Sequence, residues 1–306
     1  CIECQLLPFH RDQYKGAWDF SEGLARVQDW SGKMGFIDPK GQWVIEPLFD
    51  EVQDFKEGLA RVRQENNYGY IDKSGQLVIA AEFQSAGKFS NGLAKVQKDG
   101  AYGLINPKGN WLIEPKYNRI GDFADGLAFV KRGKNYAYIN TKGKIAIDVN
   151  FERAGTFDQG FAAVRTDGKY GLINPQGAFI IEPKYDYLVS AGDQKYMIKT
   201  NGKYGLINEK EEAITPVIYS QLYRYSEGRA GYQRDQLWGY LDEQGREVTP
   251  PQYGLIWDFK EGLARVIFRQ GIGFINPRGE AVLPPGYLDI RDFSEGMARV
   301  QVDARW

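Results

Sequence analysis

Three residues hold the thiol and imidazole chemistry of this sequence: Cys1, Cys4 and a single histidine, His10. The two cysteines lie three apart at one end, and a metal site there would need two further ligands. With so little His and Cys, most nucleophile–base pairs and most zinc or iron chemistry are excluded. Carboxylates are more numerous, and Glu46, Glu114, Asp148 and Glu182 recur at one position of a repeat. Hydrolytic acid/base work needs two carboxylates in different environments, one of raised pKa. A repeated position gives each acid nearly the same surroundings, so these read as a solvated or turn-capping face. No Gly-rich phosphate loop or nucleophile elbow is present, and neither a cofactor nor a metal is expected.

What must position any site is set by the rest of the composition. In 306 residues, 42% are hydrophobic and 14% aromatic, enough for a core. Lys and Arg number 39 against 40 Asp and Glu, without a basic block, which argues against nucleic acid or an anionic membrane as main partner. Apolar runs such as "AFIIEP" fall far short of the roughly 20 residues of a membrane-spanning helix.

The chain repeats itself. An aromatic–Gly pair or close variant stands at Met34-Gly35, Tyr68-Gly69, Tyr102-Gly103, Tyr136-Ala137, Tyr170-Gly171, Tyr204-Gly205, Trp238-Gly239 and Ile272-Gly273, and the next step of 34 reaches Trp306. "DFSEGLARV" from Asp19 returns as "DFKEGLARV" at Asp54 and Asp258 and as "DFSEGMARV" at Asp292. Each unit carries "INPKG" or a variant, the order of a type I turn with Pro second and Gly last. That turn separates runs such as "YGLIN" and "NWLIEP", rich in strand-forming residues. No window of ten or more residues keeps a helical period without a Gly or Pro breaker. The reading is an all-β chain of nine 34-residue antiparallel meanders of three or four strands, a single domain over 1–306. The recurrent Gly is expected to permit a bulge or the close approach of a neighbour.

These motifs resemble the bacterial WG-repeat family over essentially the whole chain, "WGY" at Trp238 being their most literal form. The resemblance implies a β-rich tandem array, frequent in bacterial envelope and secreted proteins and usually without an assigned activity. A looser likeness joins it to aromatic–Gly hairpin repeats that bind cell-wall polymers.

The ends share one register: Trp306 lacks the Gly that should follow it, and Cys1 aligns with Phe36, one residue past that Gly. Joined head to tail they would complete one unit, as when a propeller's last blade is built from both termini. A closed propeller-like ring is therefore preferred, with an open β-solenoid, or a cut from a longer array, as the alternative. The chain begins without Met, and a mature N-terminal Cys1 would suit a bacterial lipoprotein, giving a lipid anchor and an envelope or secreted location.

Functional residues are sought where the repeat breaks. The unit from Gln194 to Glu227 reads "DQKYMIKT" for "EGLARV" and has Glu211 in place of the turn Gly. Two residues before the Phe of the "DF" motif, the chain carries Gln53, Gly87, Gly121, Gly155 and Val189 in the middle, but Trp18, Tyr223, Trp257 and Arg291 toward the ends. In a ring those four would line one arc, and aromatics with Arg anchor interfaces or stack on sugars. The expected function is a non-catalytic scaffold binding a protein or a cell-surface polysaccharide through Trp18, Tyr223, Trp257 and Arg291. The alternative is a carbohydrate-active hydrolase.

Overall fold

The computed structural model describes residues 14–287, 289, 290, 292, 300 and 301. Every regular element among them is a β-strand, and none is a helix. Strands follow the 34-residue beat. The second sheet consists of Glu51–Val52, Ala60–Gln64, Asn67–Ile71 and Leu77–Phe83, paired antiparallel in chain order. Four-stranded sheets of the same order span 16–49, 85–117, 119–151, 153–185, 221–253 and 255–287. The sixth has three strands, Tyr187–Gly192, Lys195–Thr200 and Lys203–Asn208. The ninth shows Asp289–Ile290 paired with Val300–Gln301 among the described residues. Cys1, Arg291, Trp306 and the seam between the two ends lie outside the described residues.

Two turns shape each sheet. In the "EG" turn both central residues take positive φ, as at Glu57 (53°) and Gly58 (78°), and Lys56 and Leu59 exchange backbone hydrogen bonds of 2.9 and 3.2 Å. This is the type I′ geometry whose twist matches a hairpin. In "NPKG" the Asn106 Oδ1 accepts from the amides of Lys108 and Asn110, both at 3.0 Å, while Gly109 bonds back to the Asn106 carbonyl. Asn or Asp at this position thus replaces turn hydrogen bonds the backbone cannot make for itself.

The glycine after the aromatic has a specific cause. Between Tyr68–Phe83 and Tyr70–Ile79 the pairing takes two residues on one strand and four on the other, so the last strand bulges toward its neighbour. A Cβ on Gly69 would lie 2.6 Å from the Ile79 carbonyl oxygen. Gly103 meets Ile113 in the same way at 2.5 Å, and Gly171 meets Ile181 at 2.5 Å.

The chain falls into two compact units. One runs to Gly121 and includes Val130–Lys134 and Ile139–Ile145; the other holds Asp122–Phe129, Asn135–Tyr138 and the chain from Ala146. Within each, apolar cores form between consecutive sheets. Phe36, Ile45 and Phe49 of the first sheet pack with Val52, Phe55 and Val62 of the second. Leu172 and Ile181 of the fifth pack with Leu188, Tyr196 and Ile198 of the sixth. A sheet therefore depends on its sequence neighbours for burial, the usual logic of tandem repeats. Acidic turn residues add a second link: Glu57 accepts the Gly92 amide at 2.9 Å, Asp125 accepts that of Gly160 at 2.7 Å, and Glu227 accepts those of Glu261 and Gly262 at 2.8 Å.

The aberrant 194–227 unit keeps its second and third strands. Its last strand is reduced to two bridges, Ile207–Ala213 and Tyr204–Tyr219. Glu211 takes the glycine's positive φ of 64°, and its carboxylate meets Lys184 at 2.8 Å and Tyr185 at 3.2 Å.

Candidate binding site

In the first, second, third and eighth sheets the second strand carries a cation at the Arg position of "LARV", and that side chain reaches into the following sheet. Arg26 donates to the Val52 carbonyl at 3.4 Å, Arg61 to Ala86 at 2.7 Å, Lys95 to Ile120 at 3.0 Å and Arg265 to Ile290 at 2.5 Å. The acceptors are one repeat position, 25 or 26 residues downstream. Val52 faces Val62 between two hydrogen-bonded pairs of its own ladder, so its carbonyl points out of that ladder toward Arg26. Carboxylates one strand-end further on complete the contact: Asp54 for Arg26 at 2.9 Å and Asp292 for Arg265 at 2.5 Å.

This clamp explains two of the aromatics singled out in the sequence. Arg26 lies over the Trp18 ring at 4.9 Å and Arg265 over Trp257 at 4.4 Å, so each Trp shares its sheet with a clamping cation. Trp18 is 41% exposed, whereas Trp257 is half-buried against Ile272, Phe274 and Ile290. Tyr223 stacks on Trp238, centroids 4.6 Å apart and planes 32° apart, and burial, with Asp258 nearby, pushes its hydroxyl pKa up. Trp18 belongs to the first unit, and Tyr223 and Trp257 to the second. Glu46, Glu114, Asp148 and Glu182 occupy the fourth residue of the last strand of four different sheets and are exposed there.

The middle of the chain drops the cation. The fourth, fifth, sixth and seventh sheets carry Phe129, Ala163, Met197 and Gly231 at its position. Phe129 and Met197 fill the space with their own buried side chains. At Gly231 the neighbours fill it: a Cβ would lie 2.3 Å from Ile256 and 3.1 Å from Tyr223. At Ala163 a cavity of about 380 Å³ opens instead. The Trp position of this sheet is Gly155, so both bulky groups are missing together.

Gly155, Ala163 and Val189 border this pocket with Phe157, Phe161 and Tyr196, and Thr156, Asp158, Ser190 and Arg224 supply its polar groups. Ser190 Oγ donates to Asp158 Oδ2 at 2.5 Å, and Arg224 Nη2 approaches the same oxygen only to 3.7 Å, with 67% of its side chain exposed. Tyr196 is 2% exposed and sits edge-on to Phe161, centroids 6.5 Å apart. Burial pushes its hydroxyl pKa up, reinforced by Asp158 and Glu209, so the phenol stays neutral and can donate or accept. That hydroxyl makes no hydrogen bond among the described residues. Tyr70 and Tyr138, by contrast, each spend theirs on a carbonyl, Gly87 and Gly155, at 2.7 Å. Asp158 is the one carboxylate among the lining residues. No group of three or more His, Cys, Asp and Glu residues suited to a metal occurs among the described residues. None of their elements is a helix long and apolar enough to cross a membrane.

Gly155 and Val189, which border the pocket, belong to the same column as Trp18, Tyr223, Trp257 and Arg291. The signal for the pocket was a double subtraction in "GTFDQGFAAV": Ala163 for Arg, with Gly155 for Trp eight residues earlier.

Comparison with known proteins agrees with the repeat. A family model described as a WG containing repeat matches residues 13–29, 34–68, 68–100, 102–136, 136–170, 170–204, 204–238, 238–268 and 272–306. No curated protein matches the chain. Among solved structures, one described as the eukaryotic initiation factor is similar at a TM-score of 0.54 and 11% identity, covering 88% of this chain and 87% of that one. At that identity the likeness is one of fold alone. BamB from Moraxella catarrhalis aligns at a TM-score of 0.39 and 14% identity over 75% of this chain and 80% of its own. Hsv2p of Kluyveromyces lactis aligns at 0.37 and 10% over 73% and 91%.

Proposed function

The chain belongs to the WG-repeat family, and from that premise we propose that it is a non-catalytic scaffold that binds a protein partner. Its site is the pocket of Ala163, Tyr196, Asp158 and Arg224. The observation that carries this reading is the Tyr196 hydroxyl, which no described residue engages, at a cavity that homologous positions elsewhere in the chain fill. A hydroxyl open to the pocket and unused by the protein is available to hydrogen-bond a ligand. About 380 Å³ accepts one side chain with its backbone, within the range of small-ligand pockets. A lone carboxylate beside that hydroxyl suits recognition, since glycoside hydrolysis calls for a pair of acids.

Trp18 in one unit, and Tyr223, Trp257 and Arg291 in the other, enter the proposal as separate secondary contacts, Trp18 being the most exposed of the three described. A bacterial envelope or secreted location is proposed with it and is checked by fractionation of the cells that make it.

The test uses a peptide array and a panel of envelope polysaccharides with the purified chain. Saturable retention of peptides, without released sugar and abolished in Ala163→Met at unchanged melting temperature, is the expected result. Release of sugar products, or retention untouched by filling the pocket, would overturn the reading.

A further inference from the structure

We propose that the pocket beside Ala163 recognises the guanidinium of an arginine side chain presented by the protein partner. The inference rests on the binding reading above and names the group that the pocket takes.

The repeats themselves show what fills this volume. Where the second strand carries Arg26, Arg61 or Arg265, a guanidinium crosses to the next sheet and donates to a carbonyl that points out of its own ladder. The carbonyl equivalent to Val52, Ala86 and Ile290 in the sixth sheet is that of Leu188. Leu188 faces Ile198 in the register that Val52 keeps with Val62. Ala163 is too short to reach it, and no side chain among the described residues donates to it. The acceptor of the clamp is thus present while the internal donor has been deleted.

The carboxylate of the clamp has moved and has not been lost. Asp54 and Asp292 serve Arg26 and Arg265. The matching residue beside the pocket is Ser190, which holds Asp158 in place with its hydroxyl. Asp158 Oδ1 has no hydrogen-bond partner among the described residues, and Tyr196 offers its unpartnered hydroxyl next to it. A planar cation with five N–H donors in a fixed fork suits Asp158 and the Tyr196 oxygen together, where an ammonium offers only a point charge and a neutral amide brings no charge to the carboxylate. Phe161 and the Tyr196 ring supply aromatic surface for a guanidinium, as Trp18 and Trp257 do in the intact clamps. Arg224 does not take the place: at 3.7 Å and mostly in solvent, it makes a loose pair that an incoming arginine can displace.

The experiment titrates the full chain with blocked arginine (N-acetyl-arginine methylamide), blocked citrulline and blocked lysine, followed by calorimetry. Arginine binds; lysine binds on the order of tenfold more weakly, and citrulline shows no saturable binding. Ala163→Arg, which restores the internal cation, abolishes arginine binding, and Ala163→Met does the same through volume alone should the first variant fail to fold. Asp158→Asn weakens it, and Arg224→Ala strengthens it by removing the competitor. Equal binding of arginine and citrulline, or arginine binding unchanged in the filled-pocket variants, overturns the proposal. Peptides that bind, are lost on filling the pocket and yet show no arginine requirement overturn it while leaving the scaffold reading intact. Loss of every pocket-dependent peptide would remove both.

Discussion

Two tyrosines of similar burial should respond in different ways to the loss of one oxygen. Tyr70 is 0% exposed and donates to the Gly87 carbonyl at 2.7 Å; Tyr196 is 2% exposed and makes no hydrogen bond among the described residues. Phenylalanine keeps the ring of each, so apolar packing is nearly conserved and only the hydroxyl is tested. Tyr70→Phe removes a buried hydrogen bond and leaves its acceptor short of a partner, a loss of about 1–2 kcal/mol. Tyr196→Phe removes a hydroxyl that makes no hydrogen bond to the described residues, so stability should stay within about 0.5 kcal/mol. For a chain of this size, 1 kcal/mol corresponds to a shift of roughly 2–4 °C in melting temperature. The assay is a pair of thermal and urea unfolding curves against the parent chain, with m-values compared because a tandem array need not unfold in a single step. Equal losses in the two variants would mean that the Tyr196 hydroxyl is held by the protein. The pocket would then lose one of the acceptors on which its recognition rests.

Three further outcomes are expected. Tyr70, Tyr138 and Tyr240 have pKa values raised above the ordinary 10.0, chiefly by burial. Their stabilising contribution is therefore complete below pH 10 and is lost as pH climbs toward the folded-state values, so tyrosinate absorbance should appear together with unfolding and not before it. Gly171→Ala brings a Cβ to 2.5 Å from the Ile181 carbonyl oxygen, and the forced shift of the last strand should cost about 1–3 kcal/mol, read as a lowered urea midpoint. Glu227→Ala frees the amides of Glu261 and Gly262, so their hydrogen exchange should quicken, while global stability falls by less than about 1 kcal/mol at this solvated turn.

Period, strand content and turn chemistry were legible in the sequence because each is carried by residue types at fixed spacing. The glycine of the aromatic–Gly pair was read correctly as a site of close approach. Its cause, a carbonyl ten residues on, required the register of the bulge. The clamp was not legible. "LARV" reads as a strand with a solvated cation, and the acceptor is a main-chain carbonyl in the next repeat, which leaves no trace in side-chain chemistry. Glu46 and its equivalents were read as a solvated face, and the structure places them exposed on last strands. The pocket was missed for a related reason. Bulky residues such as Trp18 and Trp257 announce themselves, whereas Gly155 and Ala163 act by leaving room, and room exists only once neighbouring sheets are set against each other.

The cation column also bears on how such a chain acquires new specificities. Each clamp is a socket with its own plug, and unplugging one removes a single long side chain while leaving the strand beneath it intact. The seventh sheet shows a socket refilled by Ile256 and Tyr223, and the fifth shows one left vacant. Truncating Arg61 would open a further socket in the second sheet, ready-lined by Glu51 and Tyr68, the groups that now hold the plug. An array of this design can change the number and position of its receptacles by point substitution, without rebuilding a fold for each.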